Sequence, residues 1–163
     1  MQNYLTHEIE LYPPEAFQTL LDHEVARSRR YKHPLSLMRI SVEADPQTPQ
    51  TQHSAEVFAI NALNLEVRET DIPCKMGSEF LLLMPFTGEF GGRIVSERLE
   101  KLFTVQHQTY DRVSFHVSMF MGMTSATGDS PISSKKLMDQ SVEALQFARE
   151  HYSPNAVLFS EMK

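Results

Sequence analysis

The sequence has a single cysteine, Cys74. One thiol excludes an intrachain disulfide and any zinc site built from several cysteines. An excess of basic residues is also missing: Lys and Arg number 15 against 21 Asp and Glu, a formal net charge of −6. That balance argues against a nucleic-acid partner or an anionic membrane surface, since both attract basic protein surface. It leaves room for a small phosphate ligand held by a few arginines. No apolar run approaches the ~18 residues of a membrane span, and the N-terminus has no charged-then-apolar signal pattern. A cytoplasmic protein without a membrane span is therefore expected. Internal repeats and low-complexity segments are absent, and the histidines show no metal-ligand spacing. No cofactor is expected.

What is there is ordinary globular material, with 163 residues, 41% hydrophobic and 22% charged. That length fits one domain and can bury roughly 70% of its unfolded surface. Residues 1–12 carry no clear period and read as an N-terminal segment ahead of a single domain over 13–163. Pro13-Pro14 opens a helix, followed at helical spacing by Phe17, Leu20, Leu21, Val25 and Ser28. It should end near Tyr31, because His33 precedes Pro34 and is pushed out of the α region. Leu35–Glu43 reads as a strand. Residues 44–53 contain two prolines and no large apolar residue, which predicts a loop. Ser54 then predicts an N-cap for a helix to about Glu69, with Val57, Phe58, Ala62 and Leu65 inward.

Two strands follow, around Ile72–Lys75 and Phe80–Met84, joined by a tight turn at Gly77-Ser78. A helix over Gly88–Phe103 should turn Phe90, Ile94, Leu99 and Leu102 inward. Val113, Phe115, Val117, Met119, Met121 and Met123 alternate strictly, the clearest strand pattern in the chain. Ser133 or Ser134 caps a last helix to about His151, and Ala156–Phe159 is a final strand. The order α-β-α-β-β-α-β-α-β, with a hairpin amid alternating elements, predicts an α+β palm. Its central sheet should be mainly antiparallel and flanked by helices.

Several strings are more specific. Residues 24–37 read Glu-Val-Ala-Arg-Ser-Arg-Arg-Tyr-Lys-His-Pro-Leu-Ser-Leu. Residues 68–85 read Arg-Glu-Thr-Asp-Ile-Pro-Cys-Lys-Met-Gly-Ser-Glu-Phe-Leu-Leu-Leu-Met-Pro. Ser96-Glu97-Arg98-Leu99 and Ala144-Leu145-Gln146-Phe147-Ala148-Arg149-Glu150 follow. In this order and at these intervals the chain resembles the GGDEF domain of diguanylate cyclases, over nearly its whole length. The resemblance implies a nucleotide-cyclase-like palm. In active members two GTP molecules are joined into cyclic di-GMP across a dimer, with carboxylates holding two divalent cations.

Against that pattern the catalytic parts are degraded. The first metal-binding aspartate falls at Ser41. The guanine-reading Asn and Asp fall at Pro49 and Gln50, and the preceding Phe and Lys at Asp45 and Pro46. The signature turn becomes Met76-Gly77-Ser78-Glu79-Phe80, where the acid before the glutamate is Ser78 and only Glu79 and Phe80 remain. A phosphate-binding lysine becomes Arg149. The resemblance thus implies a degenerate GGDEF-like domain without cyclase activity. What it retains is Arg68-Glu69-Thr70-Asp71, matching the family's inhibitory-site motif, with Arg98 matching a second arginine of that site. An arginine fork can stack on a guanine or grip its Hoogsteen edge, and an aspartate can accept from the guanine N1–H and amine. The same two residues, three apart at a helix end, also suit a plain ion pair. Two readings stand. The first is a cyclic di-GMP-binding signalling domain acting through Arg68, Asp71 and Arg98, with a protein partner or homodimer as its output. The second is an interaction or dimerisation module that binds no nucleotide. Glu79 is expected as a solvated turn residue.

Overall fold

The structure, a computed structural model, describes residues 11–103, 108–110, 113–130 and 132–162. Its elements run α1 Pro14–Tyr31, β1 Leu35–Asp45, α2 Pro49–Glu66, β2 Ile72–Met76, β3 Glu79–Pro85 and α3 Glu89–Phe103. Then come β4 Gln108–Tyr110, β5 Val113–Ala126, α4 Ser134–Glu150, β6 Val157–Leu158 and a short 3-10 turn at Phe159–Glu161. The sheet order is β2-β3-β1-β5-β4, with β6 also pairing to β5. Every strand pair is antiparallel except β5 with β6. The expected α+β palm with a mainly antiparallel central sheet is what forms.

Both faces of the sheet are covered. On one, Met38, Ile40 and Val42 of β1 and Phe80, Leu82 and Met84 of β3 pack under α2 and α3. On the other, Leu35, Leu37, Leu81 and Leu83 pack under Phe17, Leu21 and Val25 of α1 and Leu137 of α4. A strand buried on two faces needs no polar face, so β3 reads as a continuous apolar run from Phe80 to Met84. Helix α4 sits especially close. A Cβ on Gly122 of β5 would collide with Leu145 N and the Ala144 backbone, so only glycine lets this helix reach the sheet. That approach brings the side chains of α4 over the end of β1.

Several local expectations fail for identifiable reasons. Residues 44–53 are mostly regular structure rather than a loop: β1 continues to Asp45 and α2 already begins at Pro49. Thr48, not Ser54, is the N-cap. Its hydroxyl accepts from Thr51 N at 3.1 Å while Thr51 Oγ1 accepts from Thr48 N at 2.9 Å, a reciprocal capping box. Pro49 at the first helical position has its φ preset for the helix. Gln52 then pins the first turn to β1, donating to Val42 O at 3.0 Å and accepting from Ala44 N at 3.2 Å. The buried stripe of α2 is Thr51, Ala55, Ala59, Ala62 and Leu63, and its four small residues let the helix lie close to the sheet. Val57 and Leu65, expected inward, are exposed. The helix stops at Glu66, three residues early, because Val67 is in extended backbone. In α3 the inward residues are Gly92, Val95, Ser96 and Leu99, and Phe90 is 79% exposed. Strand β4 had no expectation behind it.

Candidate functional site

Two ends of the sheet carry the residues singled out above. The first is the hairpin end. β1 and β3 pair with Ser41 directly opposite Glu79. Side chains alternate along a strand, so Arg39, Ser41 and Glu43 share the α4 face, and Glu79 joins them across the ladder. Gly77, at φ +63°, makes the turn that returns β3 beside β1. Glu79 is not a solvated turn residue. Its Oε1 accepts from Arg39 Nη1 at 2.8 Å, and the Arg39 residue is only 5% exposed. Arg39 also donates from Nε to Ser141 Oγ at 3.1 Å and points Nη2 at Met138 Sδ, 3.9 Å away. At the rim, Arg149 Nη2 donates to Glu43 Oε1 at 2.8 Å. A cavity of about 370 Å³ lies over this cluster, lined by Arg39, Glu79, Val142, Leu145, Gln146, Arg149 and Glu150.

Magnesium or manganese would need several oxygen donors in near-octahedral array, usually with carboxylates among them. At the positions that the resemblance sets against metal-binding acids, Ser41 and Ser78, this chain offers serine hydroxyls, and the adjoining Glu79 carboxylate is already held by a guanidinium. Among the described residues no three His, Cys, Asp or Glu side chains are grouped so as to hold a metal ion. The residues present do not fit the divalent cations that the fold implies.

The second end holds the expected inhibitory-site residues, where α2 passes into β2. Arg68 and Asp71 are brought together by a closed turn. Asp71 N donates to Arg68 O at 3.0 Å, and Arg68 N donates back to Asp71 Oδ2 at 2.9 Å. The Arg68 Nε stands 4.0 Å from the same oxygen, and its Nη2 donates to Thr87 Oγ1 at 3.4 Å. The Asp71 side chain is 1% exposed, whereas that of Arg68 is 57% exposed. Asp71 Oδ1 is buried with no hydrogen-bond partner. Burial lifts the Asp71 carboxyl above its ordinary range, against the opposing pull of the Arg68 N–H and guanidinium. Arg98, on α3, is 62% exposed and its ion-pair partner is Glu66 at 3.8 Å, two residues before Arg68. Arg68 and Asp71 thus touch, and Arg98 reaches the same α2 terminus through Glu66. A larger cavity, about 590 Å³, lies elsewhere, between α3, β5 and the α4–β6 connection.

Sequence reasoning missed Arg39. Its signal was present: it follows Leu35 and Leu37 in a row of inward strand residues, where a charge needs a partner.

No protein-family model matches this chain, and no curated protein sequence matches it. Solved structures do. The Pseudomonas aeruginosa diguanylate cyclase SiaD, solved with its activator SiaC, matches at TM-score 0.80 and 21% identity. The match covers 91% of this chain and 58% of SiaD, so this chain spans under two thirds of that protein. The GGDEF domain of TpbB, also called YfiN, from the same organism matches at TM-score 0.81 and 14% identity over 93% and 94% of the two chains. The GGDEF domain of DgcB from Caulobacter crescentus, solved with cyclic di-GMP, matches at TM-score 0.76 and 13% identity over 99% and 98%. This chain therefore has the GGDEF-domain fold of diguanylate cyclases. Among the described residues no helix is long and apolar enough to cross a membrane.

Proposed function

We propose that residues 13–163 form a cytoplasmic GGDEF-type signalling domain that makes no cyclic di-GMP. It binds cyclic di-GMP through Arg68, Asp71 and Arg98 and passes the signal on by protein contact. The observation that carries the binding reading is the unpartnered Asp71 Oδ1, on a carboxyl whose other oxygen lies 4.0 Å from the exposed Arg68 guanidinium. A buried carboxylate oxygen without a donor is rare and calls for an explanation. A guanine N1–H and amine are donors of the right kind, and the guanidinium can stack on the same base. Arg98 adds a second exposed cation for phosphate. The absence of cyclase chemistry is supported by Ser41 and by the engagement of Glu43 and Glu79 with arginines. The SiaD–SiaC and DgcB structures supply the precedents for a protein contact and for the ligand.

Calorimetry with cyclic di-GMP tests this. Micromolar binding is expected, about −8 kcal/mol. Arg68→Ala or Asp71→Ala should weaken it by about 1.5–3 kcal/mol, the range for charged hydrogen bonds. Arg98→Ala should weaken it less, because a rim cation is screened by solvent. Incubation with GTP and Mg²⁺ or Mn²⁺ should yield no cyclic di-GMP. Absence of heat at high micromolar ligand would overturn the binding reading. One observation favours the second reading, a nucleotide-independent interaction or dimerisation module: Asp71 Oδ2 already caps its own turn and its side chain is 1% exposed. A silent titration puts that reading first.

A further inference from the structure

We propose that Arg39 is a built-in cation standing in for a divalent metal at Glu79, which makes the hairpin end of the cleft metal-independent and ties the β2–β3 turn to α4. The proposal rests on the reading that this domain does no cyclase chemistry, and it adds the residue that replaces the metal and what that residue does.

The row Leu35, Leu37, Arg39 runs along one face of β1, and its first two members pack into the α1–α4 core. Packing alone would be served by a third apolar residue, and buried ion pairs give little stability over apolar replacements. The arginine is placed for charge. It pairs across the ladder with Leu81, so Glu79 is its diagonal neighbour, within reach of a long side chain. Its three nitrogens are spent on two elements: Nη1 on Glu79 of the hairpin, and Nε and Nη2 on Ser141 and Met138 of α4. A guanidinium does not lose its proton in a protein, so this charge cannot withdraw to admit another cation. Glu43, further along this face, is matched by Arg149. A divalent ion at Glu79 would meet a fixed positive charge bonded to the same carboxylate, with Ser41 as its cross-strand donor.

Manganese is the probe, its free concentration read by electron paramagnetic resonance and its effect on the fold by thermal melting. Wild type and Glu79→Gln should give the same Mn²⁺ isotherm. The wild-type melting temperature should not move at ~5 mM Mn²⁺, since an ion that binds the folded state raises it. Arg39→Leu combined with Ser41→Asp removes the internal cation and supplies a second carboxylate. It should gain one Mn²⁺ site at least ~10-fold tighter than any in wild type, lost again when Glu79→Gln is added. Ser41→Asp alone, with Arg39 in place, should gain none. A wild-type Mn²⁺ site that Glu79→Gln abolishes overturns the proposal. So does a folded Arg39→Leu/Ser41→Asp protein that binds no better than wild type, or equal gains with and without Arg39. The wild-type melt decides the matter even where the double variant fails to fold. Mn²⁺ binding without product from GTP would sink Arg39's role alone, whereas product formation would sink the non-catalytic reading.

Discussion

Replacing Glu79 by alanine should destabilise this domain although Glu79 lies at the very start of β3, next to the hairpin turn. The substitution removes the carboxylate that balances Arg39 and leaves a guanidinium 5% exposed with only Ser141 Oγ and Met138 Sδ as neighbours. Deleting one partner of a fully buried pair costs about 3–5 kcal/mol, because the survivor is stranded without water. The Glu79 side chain is 28% exposed, so water can enter the vacated space and solvate Nη1 in part. The cost therefore falls to the bottom of that range or just below it, about 2–3 kcal/mol, which for a chain of this size lowers the melting temperature by roughly 5–10 °C. Urea unfolding followed by circular dichroism measures it, and the slope with denaturant should stay constant while the midpoint falls. The double variant Arg39→Leu/Glu79→Ala gives the sharper test. Removing both charges leaves no stranded ion and should recover most of the loss, with a coupling of about 1–3 kcal/mol. If Glu79→Ala unfolds within about 0.5 kcal/mol of wild type, the range of ordinary surface substitutions, Arg39 does not depend on it and the reasoning fails.

Thr48→Ala should cost about 1 kcal/mol by breaking the capping box, and protease cutting near 44–53 should rise; no change in either would make the cap incidental. Gly122→Ala should cost about 1–3 kcal/mol or more, since backbone atoms of α4 stand where the methyl must go; a neutral result in urea unfolding would show that α4 can shift freely. The Asp71 carboxyl is raised in the fold by burial. A group raised in this way stabilises the fold most when protonated, fully below its unfolded value, and that contribution fades as pH rises through its folded value. Arg68→Ala removes the attraction that opposes burial, so a carbon-13 NMR titration should find Asp71 titrating higher still; a downward move would refute the placement of Arg68.

The fold was legible wherever burial wrote a period. Helix α1 was bounded by Pro13-Pro14 and by His33-Pro34, and both limits are set by steric exclusion that holds whatever the helix packs against. The alternation from Phe115 to Met123 marked β5, because one set of its side chains faces the α2–α3 core. Reading failed where large apolar residues were taken as the only sign of an inward face. In α2 the inward stripe is mostly threonine and alanine, so the pattern points to Val57 and Leu65 and misses the five helical residues before Ser54. Two prolines in 44–53 suggested a loop, yet Pro49 sits at the one helical position where its missing N–H is harmless.

The site was legible by motif and not by partnership. Arg68 and Asp71 were found because they lie three apart in one chain segment, and a turn of four residues brings them together without help from the rest of the fold. Arg39 and Glu79 are 40 residues apart, and Arg39 and Ser141 are 102 apart. No local pattern links them. Their meeting depends on the register of β1 against β3 and on the closeness of α4, which Gly122 permits. One rule was still available from the sequence. An arginine in a row of buried strand leucines requires a counter-charge, because an unpaired buried charge is too costly to keep. Elements packed against β1 had to supply it, and Glu79 at the start of β3 was the acid in reach. At the hairpin end the charges of Arg39 and Glu79 are spent on each other, and those of Arg149 and Glu43 likewise. At the opposite end Arg68 and Arg98 remain more than half exposed, Arg68 paired with the carboxyl of Asp71, whose other oxygen has no donor, and Arg98 with Glu66. On the proposed reading, an anionic ligand with guanine edges would gain charge-assisted hydrogen bonds at that second end, while at the first it would have to break pairs already made.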